Sequence, residues 1–237
     1  MNRVLLRAEE IDSAGKVTLS DRRFKHLTGV LNVEVAQAIR VGIIDGGTGS
    51  GTVLAVAEEH LELQVVINEP PSSSHPLTPV IALPRPKMLR RIFRLCAEFG
   101  AEEIHLINSC RVEKSFWQSP QLDDSAMRSA LLEGLERSGG TRLPRVHLHK
   151  RFKPFVEDQL PALAAERPVW LAHPGSKPPM PTDLTSPGLI FIGPEGGFIP
   201  YEVALLSAQG AEAVGLGARI LSVDTAVATV LGRNLVW

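Results

Sequence analysis

Four apolar residues, Leu189-Ile190-Phe191-Ile192, deliver the chain into a corner made almost wholly of glycine and proline, Gly193-Pro194-Glu195-Gly196-Gly197. The tetrad reads as a buried strand, and Pro200-Tyr201-Glu202 open a helical pattern just beyond it. Residues without a Cβ let backbone approach a ligand closely. A second corner of this kind follows, Gly215-Leu216-Gly217-Ala218-Arg219-Ile220-Leu221. Two such corners at the ends of neighbouring strands predict a pocket for a small organic ligand, built largely from main chain. A triphosphate cradle is a poor match, because neither GxxxxGK(S/T) nor GxGxxG follows a strand.

The rest of the chain sets the frame for that pocket. With 237 residues, 44% hydrophobic and 22% charged, it has the composition of a globular protein of one large domain or two smaller ones. No apolar run approaches the roughly 18 residues of a membrane span. The N-terminus, where Glu9, Glu10 and Asp12 soon follow Leu6, does not read as a signal peptide. Two cysteines without metal-ligand spacing, Cys96 and Cys110, fit a reducing cytoplasm, with Cys96 a small core residue. A net charge of −1 argues against a broad nucleic-acid-binding surface and leaves any RNA contact to local patches.

The stretch Glu69-Pro70-Pro71-Ser72-Ser73-Ser74-His75-Pro76 resists helix and sheet alike and is read as a linker, residues 69–76. Before it, residues 1–70 are strand-like. Val33 to Ile44 is rich in Val and Ile, Asp45 to Gly51 reads as a turn, and Val53–Val56 and Leu61–Val65 follow. This pattern predicts a small β-barrel. After it, residues 76–237 alternate. Strands are expected at Val80–Leu83, Glu103–Ile107, Val146–His149, Val169–Ala172, Leu189–Ile192 and Ala213–Leu216. Helices are expected at Lys87–Phe99, Asp123–Ser138, Pro200–Gln209 and Asp224–Val236. The alternation predicts an α/β fold with a mainly parallel sheet.

The segment Lys87 to Phe99 is strongly amphipathic. Lys87, Arg90, Arg91 and Arg94 fall in a wedge of about 100°, opposite Leu89, Ile92, Phe93 and Cys96. Arg85 precedes them, and no acid lies between Arg85 and Arg94. Such a stripe serves as a solvated face or as a phosphate-binding surface. A second basic cluster, Arg142, Arg145, Lys150, Arg151 and Lys153, favours the latter. His173-Pro174-Gly175 follows a strand and reads as a turn; beside the two glycine corners it would make a third strand end at one site. Asp224 reads as a helix N-cap. No Ser/His/Asp or HExxH arrangement stands out, and nothing near Cys110 marks it as activated.

These residues, taken in order, resemble the RsmE family of the SPOUT superfamily. The carriers are Arg111-Val112-Glu113-Lys114-Ser115, Glu136-Arg137-Ser138-Gly139, Gly193 to Phe198 with Glu202, Leu216 to Leu221, and Asp224-Thr225-Ala226. The likeness spans nearly the whole chain. It implies an S-adenosylmethionine-dependent methyltransferase that modifies N3 of a uridine in small-subunit (16S) ribosomal RNA. It also implies a PUA-like barrel before a trefoil-knotted SPOUT domain, a homodimer, and a cytoplasmic location. Cofactor contacts would come from Leu171, His173, Pro174, Gly193, Pro194, Glu195, Gly196, Gly197, Leu216, Gly217, Ile220 and Leu221. Glu195 and Asp224 are the candidate catalytic groups. Arg85, Lys87, Arg90, Arg91, Arg94 and Arg142 would contact RNA, and no metal is expected. Gly29, Asn32, Gly140 and Ser222 stand where the family often has a cation or, at Gly140, a cation or asparagine. Those departures keep an alternative open: a catalytically divergent paralogue that binds RNA or modifies another nucleotide.

Overall fold

A computed structural model describes residues 2–182, 184 and 186–235. The chain divides into two compact units. Residues 1–72 form the first together with Leu135–Leu143, and residues 73–134 and 144–237 form the second.

The first unit is built on a five-stranded sheet. Its strands are β1 (Val4–Leu6), β2 (Lys16–Leu19), β3 (Ala38–Ile43), β4 (Thr48–Val56) and β5 (Leu61–Glu69), in the order β1-β3-β4-β5-β2. β1 runs parallel to β3; the other ladders are antiparallel. Val4, Leu6, Val17, Leu19, Val41, Val53, Leu61 and Leu63 make the core, joined by Leu27 of helix α1 (Arg22–Gly29). Asp21 caps that helix, its side chain accepting from the Arg23 amide at 2.8 Å. The Asp45–Gly51 turn expected from sequence ends early. β4 begins at Thr48, because the backbone there pairs with β3 on one side and β5 on the other, and two ladders outweigh the local bias of glycine. Likewise Val33 to Ala36 stay outside β3. The Leu135–Leu143 segment is tied in at several points: the Asn2 amide donates to Glu136 O (2.8 Å), Arg22 forks onto the Glu136 carboxylate (2.5 and 3.1 Å), and Thr141 Oγ1 donates to Gly46 O (2.6 Å).

Glu10 in this unit accepts from Arg23 (2.6 and 2.9 Å) and from the Arg7 amide (2.7 Å). These bonds, that to Arg23 foremost, hold its carboxyl down at about 2. A depressed folded-state value means the stabilisation is present above pH 4.5 and fades as pH falls from there towards 2. Glu10→Gln should therefore lower the urea midpoint at pH 7 and close most of that gap at pH 2.5. Denaturation followed by circular dichroism at both pH values checks this, and a gap that does not change with pH would refute it.

The second unit carries a six-stranded sheet in the order β11-β9-β10-β6-β7-β8, and every ladder in it is parallel. The strands are β6 (Leu77–Ala82), β7 (Glu103–Ile107), β8 (Arg145–His149), β9 (Val169–Ala172), β10 (Gly188–Ile192) and β11 (Ala211–Val214). Parallel strands need crossovers, and helices supply most of them. These are α2 (Pro86–Glu98), α3 (Asp124–Ser138), α4 (Phe152–Pro154), α5 (Leu160–Ala164) and α6 (Pro200–Ala208); α7 (Val223–Gly232) follows the last strand. β6 and β10 are buried at every position, which is why Leu189–Ile192 reads as an unbroken apolar run; Thr78 and Pro79 break that pattern in β6, and the sequence showed only its second half. The expected Ala213–Leu216 strand is displaced to Ala211–Val214, freeing Gly215 to Leu221 as a loop. The last helix ends at Gly232; Val236, expected within it, lies outside the described residues. α2 buries Leu89, Ile92, Phe93 and Cys96, and burial pushes the Cys96 thiol up to about 12, so it is an inert core group. No described helix is long and apolar enough to cross a membrane.

Candidate active site

β9, β10 and β11 lie side by side, so their C-terminal ends open at one place. Ligands of open parallel sheets bind outside such ends. Here the chain leaves β9 at His173-Pro174, β10 at Gly193 to Gly197, and β11 at Leu216 to Leu221, and the three loops enclose a crevice of about 280 Å³. Cross-bonds fix the loops. The His173 amide donates to Val214 O (3.0 Å), Gly215 exchanges bonds with Pro178 and Met180 (2.9 Å each), and the Gly197 amide closes a turn onto Pro194 O (2.7 Å).

Of the positions singled out for the cofactor, His173, Pro174, Gly193 to Gly197, Leu216, Gly217, Ile220 and Leu221 all line this crevice. Leu171 does not. It is fully buried within β9, and the next residue, Ala172, forms the wall. Gly217 sits at φ +133°, a region open almost only to glycine, and a Cβ built there would meet no atom within 4 Å. A side chain at that point would project into open space. Apolar wall is provided by Ile192, Leu216, Leu221, Val223 and Ala226.

The two candidate catalytic groups have different surroundings. Glu195 lines the crevice, and its Oε1 accepts from the Arg85 amide at 3.1 Å. Asp224 is buried and is not a crevice residue. It is also not the N-cap, as its sequence position suggested: Ser222 occupies that place, two residues earlier. Asp224 Oδ1 accepts from Ser222 Oγ at 2.6 Å and Oδ2 pairs with Arg91 Nε at 3.2 Å. Both oxygens are thus engaged.

The stripe on α2 is also partly spoken for. Arg90 and Arg94 reach Glu133 of α3 (2.9 and 3.4 Å), and Arg91 reaches Asp224. Acids absent from the local sequence arrive through the fold. The Arg85 and Lys87 side chains are exposed and form no ion pair among the described residues; Glu195 takes only the Arg85 backbone amide. Arg142 is exposed in the other unit, its Nε donating to Ser72 O at 3.2 Å.

Arg111 and Arg219 carry the family resemblance but were not among the residues singled out for cofactor or RNA; both line the crevice. Arg111 Nη1 donates to Gly196 O, and a Cβ on Gly196 would fall 2.9 Å from Arg111 Cδ. The contact spans 85 positions, so no local pattern could announce it. A further residue is structural. Glu202 is 2% exposed; its carboxylate accepts from the Cys110 amide (2.6 Å) and the Ile199 amide (3.0 Å), with Ser109 Oγ at 3.5 Å. It pins the loop after β7, which carries Arg111, to the start of α6.

Comparison with known proteins places this fold in a class. A family model described as an RNA methyltransferase domain matches residues 71–234. The ribosomal RNA small subunit methyltransferase E of Treponema pallidum is 32% identical, the match covering all of this chain and 93% of that protein. The fold is shared with a putative methyltransferase of Legionella pneumophila in complex with the cofactor SAM (TM-score 0.78, 19% identity, 98% of this chain and 95% of that one). It is shared too with the Neisseria gonorrhoeae ribosomal RNA small subunit methyltransferase E bound to S-adenosyl methionine (TM-score 0.73, 20% identity, 98% and 95%). The chain belongs to the RNA methyltransferase family, alongside the small-subunit ribosomal RNA methyltransferases E.

Proposed function

We propose that this protein is an S-adenosylmethionine-dependent methyltransferase that acts on small-subunit ribosomal RNA, at N3 of a uridine. The observation that carries the proposal is the crevice where three parallel strand ends meet, walled by glycine main chain and a few apolar side chains. Its residues fit the cofactor. Amide and carbonyl groups of the Gly193–Gly197 and Leu216–Leu221 loops suit the polar ends of such a molecule, Leu216, Leu221, Val223 and Ala226 suit an adenine ring, and the space beside Gly217 is open. When bound, S-adenosylmethionine supplies an electrophilic methyl group. The loops hold the reacting partners in line, and positioning of this kind accounts for several kcal/mol of a barrier, roughly 7–11 in the best cases. Uridine N3 carries a proton that must leave as the new bond forms. Glu195 is a carboxylate lining the crevice, its Oε1 taken by the Arg85 amide, and in this reading its other oxygen would accept that proton. Asp224, with both oxygens bonded, orients Arg91 and the start of α7 instead.

We read the second unit as a SPOUT-type trefoil-knotted domain and the first as a PUA-like barrel that grips RNA, in a cytoplasmic homodimer. Family membership supports this reading, and so does Ile220, which stands 86% exposed at the crevice rim where a second subunit would cover it. Comparing modified nucleotides in ribosomal RNA from cells with and without the gene tests the function. Loss of one N3-methyluridine from the small-subunit RNA is the expected result. An unchanged small-subunit pattern would overturn the reading in favour of the divergent paralogue, which the pairing of Arg90, Arg91 and Arg94 with acids otherwise recommends.

RNA contact by the α2 stripe has its own consequence. Arg85→Glu combined with Lys87→Glu should weaken RNA binding at least tenfold and lower the salt slope by about 2, since each lost phosphate contact removes about 1. Affinity for S-adenosylmethionine should not move. Filter binding across a salt series, with calorimetry for the cofactor, measures both; undiminished RNA affinity would remove this face from the interface.

A further inference from the structure

β7 and β8 pair in parallel with His105 opposite His147 and Glu103 opposite Arg145. Alternation puts these side chains on one face of the sheet. The His105 and His147 rings stack with centroids 4.6 Å apart. His105 is 4% exposed, and its Nδ1 lies 3.0 Å from His149 Nε2. Its other nitrogen, Nε2, is buried with no hydrogen-bond partner, and so is Nε2 of His147. Both stand near the Glu103 carboxylate without bonding it: Oε2 is 3.6 Å from His105 Nε2, and Oε1 is 3.8 Å from His147 Nε2. One ligand atom from each of the three residues lies within 4.8 Å of the others. Buried polar atoms left unpaired are costly, and two of them facing one carboxylate are what a shared cation would satisfy.

We propose that Glu103, His105 and His147 form a binding site for a divalent cation of the zinc class. Two imidazoles and a carboxylate are a donor set that zinc takes readily, with a fourth position left for water. Zinc–ligand bonds of about 2.0–2.2 Å place tetrahedral donors about 3.3–3.5 Å apart, so the separations here need only small side-chain rotations. His149, bonded to the far nitrogen of His105, holds that ring in orientation, as outer partners of metal-bound histidines do. Arg145 opposes the site: its Nη2 is 2.8 Å from Glu103 Oε1 and competes for the carboxylate, from a side chain exposed enough to swing away. None of the three residues lines the crevice, so the ion has no part in the reaction proposed there. Its effect is structural. Among the described residues β8 ends the sheet and pairs only with β7, and the ion ties this edge strand to its neighbour. No local motif groups the ligands, because they meet only through strand register.

Calorimetric titration of the untagged, full-length protein with zinc chloride tests this, with cobalt(II) absorption as a report on tetrahedral geometry. One equivalent should bind and raise the thermal unfolding midpoint. Glu103→Gln and His147→Gln, at half-buried positions, should each weaken binding at least tenfold and abolish the thermal shift while circular dichroism stays native. Arg145→Gln should tighten binding, and Cys110→Ser should leave it unchanged. Wild-type protein that takes up no zinc, Gln variants with undiminished affinity, or loss of binding in Cys110→Ser would each overturn the proposal.

Discussion

A Gly217→Val protein is expected to fold and to bind S-adenosylmethionine about a hundredfold more weakly than the wild type. Two causes act together. At φ +133° a β-branched residue is strained by roughly 1–3 kcal/mol, so the loop must rearrange to relieve it. The new side chain would enter the open space beside the crevice, which no neighbouring atom claims within 4 Å. Each 1.4 kcal/mol is about tenfold in affinity, so strain alone approaches the expected loss at the upper end of its range. Global stability should change little, because Gly217 is exposed and lies outside every strand and helix. Gly217→Ala, smaller and unbranched, should lose less. Calorimetry gives the affinities and thermal unfolding the control. Wild-type affinity in the valine variant would mean that this loop does not hold the cofactor.

Glu202→Ala should destabilise the second unit by about 2–4 kcal/mol. Its carboxylate is buried and takes hydrogen bonds from two backbone amides, at Cys110 and Ile199. Removing the acceptor leaves both donors unsatisfied at about 1–3 kcal/mol each, less whatever water recovers. Glu202→Gln keeps one oxygen acceptor and the volume, and should lose about half as much. The loop after β7 would loosen first, so Arg111 should lose its hold on Gly196 and turnover should fall further than stability predicts. Chemical denaturation measures the first effect and methyl transfer at a temperature where both proteins are folded measures the second. A stable, fully active Glu202→Ala protein would show that these bonds are not what fixes the loop.

The parallel sheet of the second unit was legible because its inner strands are largely buried on both faces; Glu103–Ile107 and Val169–Ala172 fall where expected to the residue, whereas the less buried edge strand β11 lies two residues earlier than expected. What stayed hidden depends on distant partners. β1 is apolar but only three residues long, β2 offers just two buried positions, and α1 buries only Leu27. The helical run at 152–164 is interrupted to the eye by Pro154 and Pro161. At the site, the glycine corners declare themselves, since their composition is itself the feature. Arg111, the pairing of Asp224 with Arg91, and the acids opposite the α2 cations come from residues tens of positions away. Periodicity reports the face of an element and is silent on its neighbour.

The stretch Leu135–Leu143, which belongs with residues 1–72, gives the chain a braided domain order. Cutting at the Pro/Ser stretch would leave neither half intact. The amino-terminal fragment would lack Glu136, the partner of Arg22, and Thr141, the clasp on Gly46. Anyone seeking the first unit by itself must supply that nine-residue insert from elsewhere, or reorder the polypeptide so that it follows directly.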